Sequence, residues 1–360
     1  MPTMPPVRPV DYLDVPESPL GPYDVSKEEE DLWFAPSLDD EAEDPYRAPL
    51  PQANNDRETF VINDWRAAER ELAAQLAKVA QRLGALDERL GRGPSGWADR
   101  LAMLEASALS WFTGHRVTLD KLSLWLELRT GSVEFENLSL SKTGWAYRRL
   151  SGGPGPELGL AEFLARRDVS GAAVTLDERL DGWRQMMGHG RDLHPFTQAC
   201  LGHWLWPMVG IGPEGERLEA AVIAARQAAA YCVSGCRFVP LALGGAVGLR
   251  AGGPPVRRLK LWLDGMESGV SAAMRELDLL EDWQVAAAAA TADLSGRTPR
   301  ELIRLMVKHV VMCAPIAEEL TGASRAAAQR NLILLEKRGL LREVTGQGRW
   351  RFWRICVPDN

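Results

Sequence analysis

The sequence predicts a mainly α-helical protein whose chain ends in three short helices followed by a β-hairpin. Three observations carry this. Between about residues 58 and 298 apolar residues recur at three- and four-residue steps, the period of a helix with one buried stripe. Alanine and leucine dominate those stretches, and period-two runs of β-branched residues are scarce until the last twenty positions. Glycine and proline punctuate the pattern at intervals that suit helix ends. With 46% hydrophobic and 25% charged residues in 360, the chain can bury more than one small core.

The elements follow in order. Residues 1–57 hold 11 of the 23 prolines and acidic blocks such as Glu28-Glu29-Glu30-Asp31. Such a composition cannot bury enough apolar area to offset chain entropy, so a disordered acidic tail is expected. Trp33 and Phe34 interrupt it, either as a docking motif for a protein partner or as a sticky linker. A helical body is expected over 58–255. Trp65, Ala68, Leu72, Leu76, Val79, Leu83, Leu86 and Leu90 predict one long amphipathic helix, and Trp97 to Trp111 a second that ends at Gly114. Thr118 can cap a third running past Trp125 to Leu128. Shorter helices are expected between Gly131 and Asp192, among them Leu158 to Arg167 and Leu176 to Met187, then His194 to Val209 and Glu214 to Cys232. A glycine-rich loop covers 244–253. Residues 256–298 read as a long connecting helix and its exit, with Leu259, Leu263, Met266, Val270, Met274, Leu277 and Leu280 forming a stripe for the core or for a dimer seam.

Residues 299–360 form the last unit. Pro299 and Pro315 each suit the first turn of a helix, and Gly322 suits a corner between the second and third. Ser324 is a good N-cap for Arg325 to Arg338, which Gly339 ends and which buries Leu332, Leu335 and, beyond it, Leu340. Leu341 to Val344 and Arg349 to Ile355, around Thr345-Gly346-Gln347-Gly348, read as a hairpin in which arginines alternate with aromatics. Helix, turn, helix and hairpin in this order are the parts of a winged helix-turn-helix. The run Leu320 to Leu341 also resembles the recognition-helix stretch of bacterial winged-helix regulators, with Ala-Ser-Arg at its start and Leu-Glu-Lys-Arg-Gly-Leu-Leu at its end.

Charge agrees with that reading. Residues 301–360 carry 10 lysines and arginines against 6 acidic residues, a net +4 on a chain of net charge −7. The expected partner is double-stranded DNA. Ser324, Arg325, Gln329 and Arg330 lie early on the third helix, where arginine suits guanine and glutamine suits adenine. Arg338, Arg349 and Arg351 are expected at phosphates, and Asn331 at either. The alternative for each is a solvated surface group. With so few basic residues, binding is expected to need a homodimer. Five scattered cysteines, no apolar run near the 18 or so residues of a membrane span and no signal-peptide layout lead to an expectation of a cytoplasmic protein with free thiols and no membrane association.

His194-Pro195-Phe196, in a helical body that precedes a winged helix, resembles the Fic family, whose members transfer AMP to hydroxyl side chains. The resemblance would make His194 a general base. The family's acidic residue, glycine-rich anion cradle and arginine have no counterpart in Thr197-Gln198-Ala199-Cys200-Leu201-Gly202-His203-Trp204. Glu105 to Leu119 resembles the family's autoinhibitory helix, but Leu109 and Thr113 stand at its polar positions and only Gly114 matches. The resemblance thus implies a degenerate, noncatalytic Fic-like body. Residues 86–122 and 259–353 are also similar to a family of alphaproteobacterial plasmid proteins with a helical body before a helix-turn-helix. His189, His194, Cys200 and His203 match no zinc spacing, and Cys232-Val233-Ser234-Gly235-Cys236 lacks the gap of a redox or metal knuckle and is expected to pack on a helix. Neither metal nor cofactor is expected. The expectation is a transcriptional regulator with a sensing or dimerising body; a divergent AMP transferase and a protein-interaction scaffold are the alternatives.

Overall fold

The longest helix organises the molecule. In a computed structural model, which describes residues 55–128, 134–165, 174–212, 217–346 and 351–356, α10 spans Pro255–Ala290, about 54 Å at 1.5 Å per residue. Its stripe Leu259, Leu263, Met266, Val270, Leu277 and Leu280 is buried, so within this chain those residues are core. Around it pack α1 (Asn55–Glu71), α2 (Ala73–Arg92) and α8 (Pro195–Met208). The single helix expected from residue 61 is divided at Leu72, although Leu72 still donates to the Ala68 carbonyl and accepts from Leu76 N–H, so hydrogen bonding runs through the break. Trp65, Trp206, Trp262 and Trp283 are all fully buried.

A second layer comprises α3 (Gly96–Phe112), α4 (Leu119–Leu128), α5 (Glu134–Ser151), α6 (Leu160–Leu164), α7 (Leu176–Gly188) and α9 (Leu218–Ala228). The 18-residue α5 is longer than the short helices expected between Gly131 and Asp192, while α6 and α7 fall at the two expected over Leu158 to Arg167 and Leu176 to Met187. It packs on α3 and α9, and its mixture of Ser, Thr, Asn and Gly hid its length in the sequence. Among the described residues no helix is long and apolar enough to cross a membrane.

Between α9 and α10 the chain is irregular and is buried mainly over 238–242, which leaves backbone N–H groups in need of acceptors. Two carboxylates supply them. Asp87 of α2 accepts from the N–H groups of Val233, Ser234, Gly235 and Cys236 at 2.7 to 3.1 Å. Glu105 of α3 accepts from Leu241, Ala242 and Leu243, each at 2.8 Å. Burial pushes the Asp87 carboxyl up, but its four donors outweigh this and hold it below the usual range. At Glu105 burial is complete and wins over three donors, raising the pKa to about 7. The segment also lies against α10, where a Cβ at Gly269 would strike the Pro240 carbonyl.

The C-terminal module follows as α11 (Arg297–Lys308), α12 (Ala314–Thr321), α13 (Arg325–Lys337), β1 (Leu341–Glu343) and β2 (Trp353–Ile355). β1 and β2 pair antiparallel with Leu341 opposite Ile355 and Glu343 opposite Trp353. Met312, between α11 and α12, bridges the other edge of Trp353 through bonds of 2.8 and 2.9 Å. Trp353 therefore lies between β1 and the single Met312 bridge, and both it and Phe352 are buried instead of alternating with exposed arginines. The module belongs to the compact unit Asn54–Asn360, with α11 packed on α3.

One side chain makes that junction. Arg100 of α3, 1% exposed, donates from Nε to Glu276 of α10 at 2.6 Å and from Nη1 to the carbonyls of Met306 and His309 at 3.1 Å. Those carbonyls end α11 without helical partners, so the guanidinium caps the helix while pairing with α10. Removing one member of a buried pair strands the other, and Arg100→Ala is expected to lower unfolding stability by about 3 kcal/mol or more, read from the urea midpoint.

The Glu105 carboxyl yields a pH signature. Its folded pKa lies above its unfolded one, so the folded state retains a proton that the unfolded chain gives up. The associated stability is full below about pH 4.5 and is lost as pH rises through about 7. Buried His203 and His309, held down near 3 and 4 by burial, act in the opposite sense at lower pH but are common to wild type and variant. The stability of Glu105→Gln relative to wild type should therefore rise by on the order of 3 kcal/mol between about pH 5 and pH 8, measured by denaturation at each pH.

Candidate nucleic-acid interface

The leading half of α13 presents exposed basic and polar side chains. Gly322, at φ +67°, turns the chain out of α12, and Ser324 then caps α13 by accepting from Ala327 N–H at 3.4 Å. Ala328, Leu332 and Leu335 face inward, so Arg325, Ala326, Gln329 and Arg330 face solvent.

The eight expected DNA-contacting residues fall into distinct settings. Ser324 is the cap. Arg325 pairs with Glu318 through Nε at 2.8 Å, and its backbone N–H also donates to that carboxylate, which anchors the helix start. Gln329 and Arg330 are exposed and have no partner among the described residues. Asn331 donates to the Ala327 carbonyl at 2.8 Å. Arg338 forms a two-pronged pair with Asp293 at 2.6 and 2.8 Å and also donates to the Ala290 carbonyl, tying α13 to the end of α10. Arg351 pairs with Glu343 at 2.9 Å and Glu336 at 3.3 Å and lies over the Trp353 ring. Arg349 lies outside the described residues, as do the acidic tail and its Trp33 and Phe34.

Cations beyond the eight were missed, among them exposed Arg297 on α11. Lys337 and Arg342 are exposed without partners among the described residues. Arg342 follows buried Leu341 on β1, an alternation visible in the sequence and sufficient to find it.

The body's His194 has a local role. It is the N-cap of α8, its Nδ1 accepting from Phe196 N–H at 3.2 Å while its backbone N–H donates to the Glu69 carboxylate at 2.8 Å. Its ring meets those of Phe196 and Tyr231, and burial lowers its pKa. The residues after it, Thr197 to Trp204, are helical throughout, with Thr197, Cys200 and His203 buried, so the backbone there is engaged in α8 and not shaped as a loop around an anion. Among the described residues no three His, Cys, Asp or Glu side chains gather in a way that could hold a metal ion.

The Ser324 cap offers a direct check on the α13 start. Ser324→Ala should lower stability by about 0.5 to 1 kcal/mol in urea denaturation, and Ser324→Asp should retain it. The chain matches no protein-family model and no curated protein.

Proposed function

We infer that this protein binds double-stranded DNA as a transcriptional regulator, using α11 to β2 as a winged helix-turn-helix and the helical body as a noncatalytic scaffold. The observation that carries this reading is the outward face of α13, where Gln329 and Arg330 project from a capped helix whose inner face is packed. The order of parts supports it, since an extended segment at Met312, two helices joined by a tight corner and a hairpin follow α11.

In this reading Arg330 and Gln329 enter the major groove, with guanine O6 and N7 as acceptors for arginine and adenine for glutamine. Lys337 and Arg342 contact phosphates, which gives affinity and register without sequence information. Arg325, Arg338 and Arg351 hold the module's shape through their carboxylate partners. So few free cations suit binding by two chains on adjacent half-sites. For the body, the commitment of His194 to capping α8 and the helical course of the following residues favour a scaffold over an AMP transferase.

The test is titration of the full chain with random duplex DNA at about 50 and about 200 mM salt. Affinity is expected to fall steeply with salt. Arg330→Ala should weaken binding by roughly tenfold or more. Arg342→Ala should reduce the salt slope by about one, whereas Arg338→Ala should leave the slope unchanged. Absence of binding at the lower salt would overturn the reading.

A further inference from the structure

A pair of cysteines lies in the irregular segment after α9. The sequence suggested a helix for them, but Cys232 and Cys236 stand at the two ends of a loop. Cys232 N–H donates to the Ala229 carbonyl at 2.9 Å, closing the helix end, and Cys236 Sγ donates to the Phe238 carbonyl at 2.9 Å. Between them four successive N–H groups, those of Val233 to Cys236, converge on the Asp87 carboxylate. Successive donors reach one acceptor only if the backbone closes into a tight arc, and the arc brings its ends together. Cys232 and Cys236 therefore stand as neighbours at the two ends of the arc, close enough for the thiols to interact. Gly235 allows the arc to lie against α2, where a Cβ would press on the Leu90 and Gly91 backbone.

Access is one-sided. Cys236 is buried, while Cys232 is partly exposed and lies between Tyr231 and Val233, which are 72% and 92% exposed. The contact with Cys232, then burial, pushes the Cys236 thiol well above its ordinary value. The outer thiol is thus the one a solvent-borne oxidant meets, and the inner one is held against it in reserve.

We propose that Cys232 and Cys236 are an oxidation site that closes into a reversible intrachain disulfide when the protein meets a hydroperoxide. The Cys232 thiolate attacks one peroxide oxygen and the O–O bond breaks, giving a sulfenic acid at Cys232 and, with hydrogen peroxide, one water. Cys236 then loses its proton, leaves the Phe238 carbonyl and attacks the Cys232 sulfur; the S–S bond forms and hydroxide departs as a second water. Two thiols are oxidised by two electrons and one peroxide is reduced. A thiol reductant restores both cysteines by exchange. The bonds to Asp87 come from the backbone and persist through the cycle.

The full chain is treated with hydrogen peroxide, its remaining thiols are alkylated under denaturing conditions, and its peptides are mapped without reduction. The expected product links Cys232 to Cys236, with Cys200 and Cys313 alkylated. In Cys236→Ser the sulfenic acid at Cys232 should persist and be trapped by dimedone, whereas wild type should show little trapping. Cys232→Ser should leave Cys236 reduced. Equal dimedone labelling of Cys232 in wild type and Cys236→Ser, or five free thiols at a peroxide dose that oxidises free glutathione, would overturn the proposal.

Discussion

The contact on which most of the architecture depends is the buried guanidinium of Arg100. It joins α3 to the middle of α10 through Glu276 and to the end of α11 through two carbonyls. A charge taken this far from water is costly unless it is paired and hydrogen-bonded, and the geometry that places Glu276 and two carbonyls around it is narrow. That narrowness fixes where α11 begins its approach to α12 and hence where α13 points. Arg338 with Asp293, and Trp283 Nε1 with the Leu340 carbonyl at 2.7 Å, repeat the constraint at the other end of the module. Together they hold the module to α10 and leave the leading half of α13 outward.

The same device, a charged side chain that substitutes for missing backbone partners, also shapes the irregular segment beside α10. Asp87 and Glu105 occupy the place a neighbouring strand would fill, with seven N–H groups between them. The consequences differ with burial. Asp87, with more donors and more water, stays ionised, whereas Glu105 titrates near neutrality. A core supported in this way responds to rising pH near neutrality through Glu105 and leaves Cys232 and Cys236 as neighbours at its margin.

What could be read in the sequence was local. The Ser324 cap, the corner at Gly322, the stop at Gly339 and the stripe of α10 each follow from residues within a few positions of one another, and all stand as expected. What could not be read was distant. Nothing near Arg338 announces Asp293, and nothing near Arg351 separates a phosphate contact from a pair with Glu343 and Glu336. Asp87 and Glu105 look like ordinary helix-surface acids until the loop they hold, more than 130 positions on, is in place. The His-Pro-Phe run is explained by a nearby cause, since histidine caps α8 and proline suits its first turn. Met312 escaped notice because a single bridging residue carries no periodic signal.

Buried charge makes the body and the C-terminal module one cooperative unit that presents a fixed α13. Native-state hydrogen exchange along the chain measures this most directly. The slowest amides of α3, α10 and α11 are expected to exchange with one common free energy and one common denaturant dependence. Exchange of α11 to α13 at a distinctly lower free energy, with α3 and α10 still protected, would contradict it.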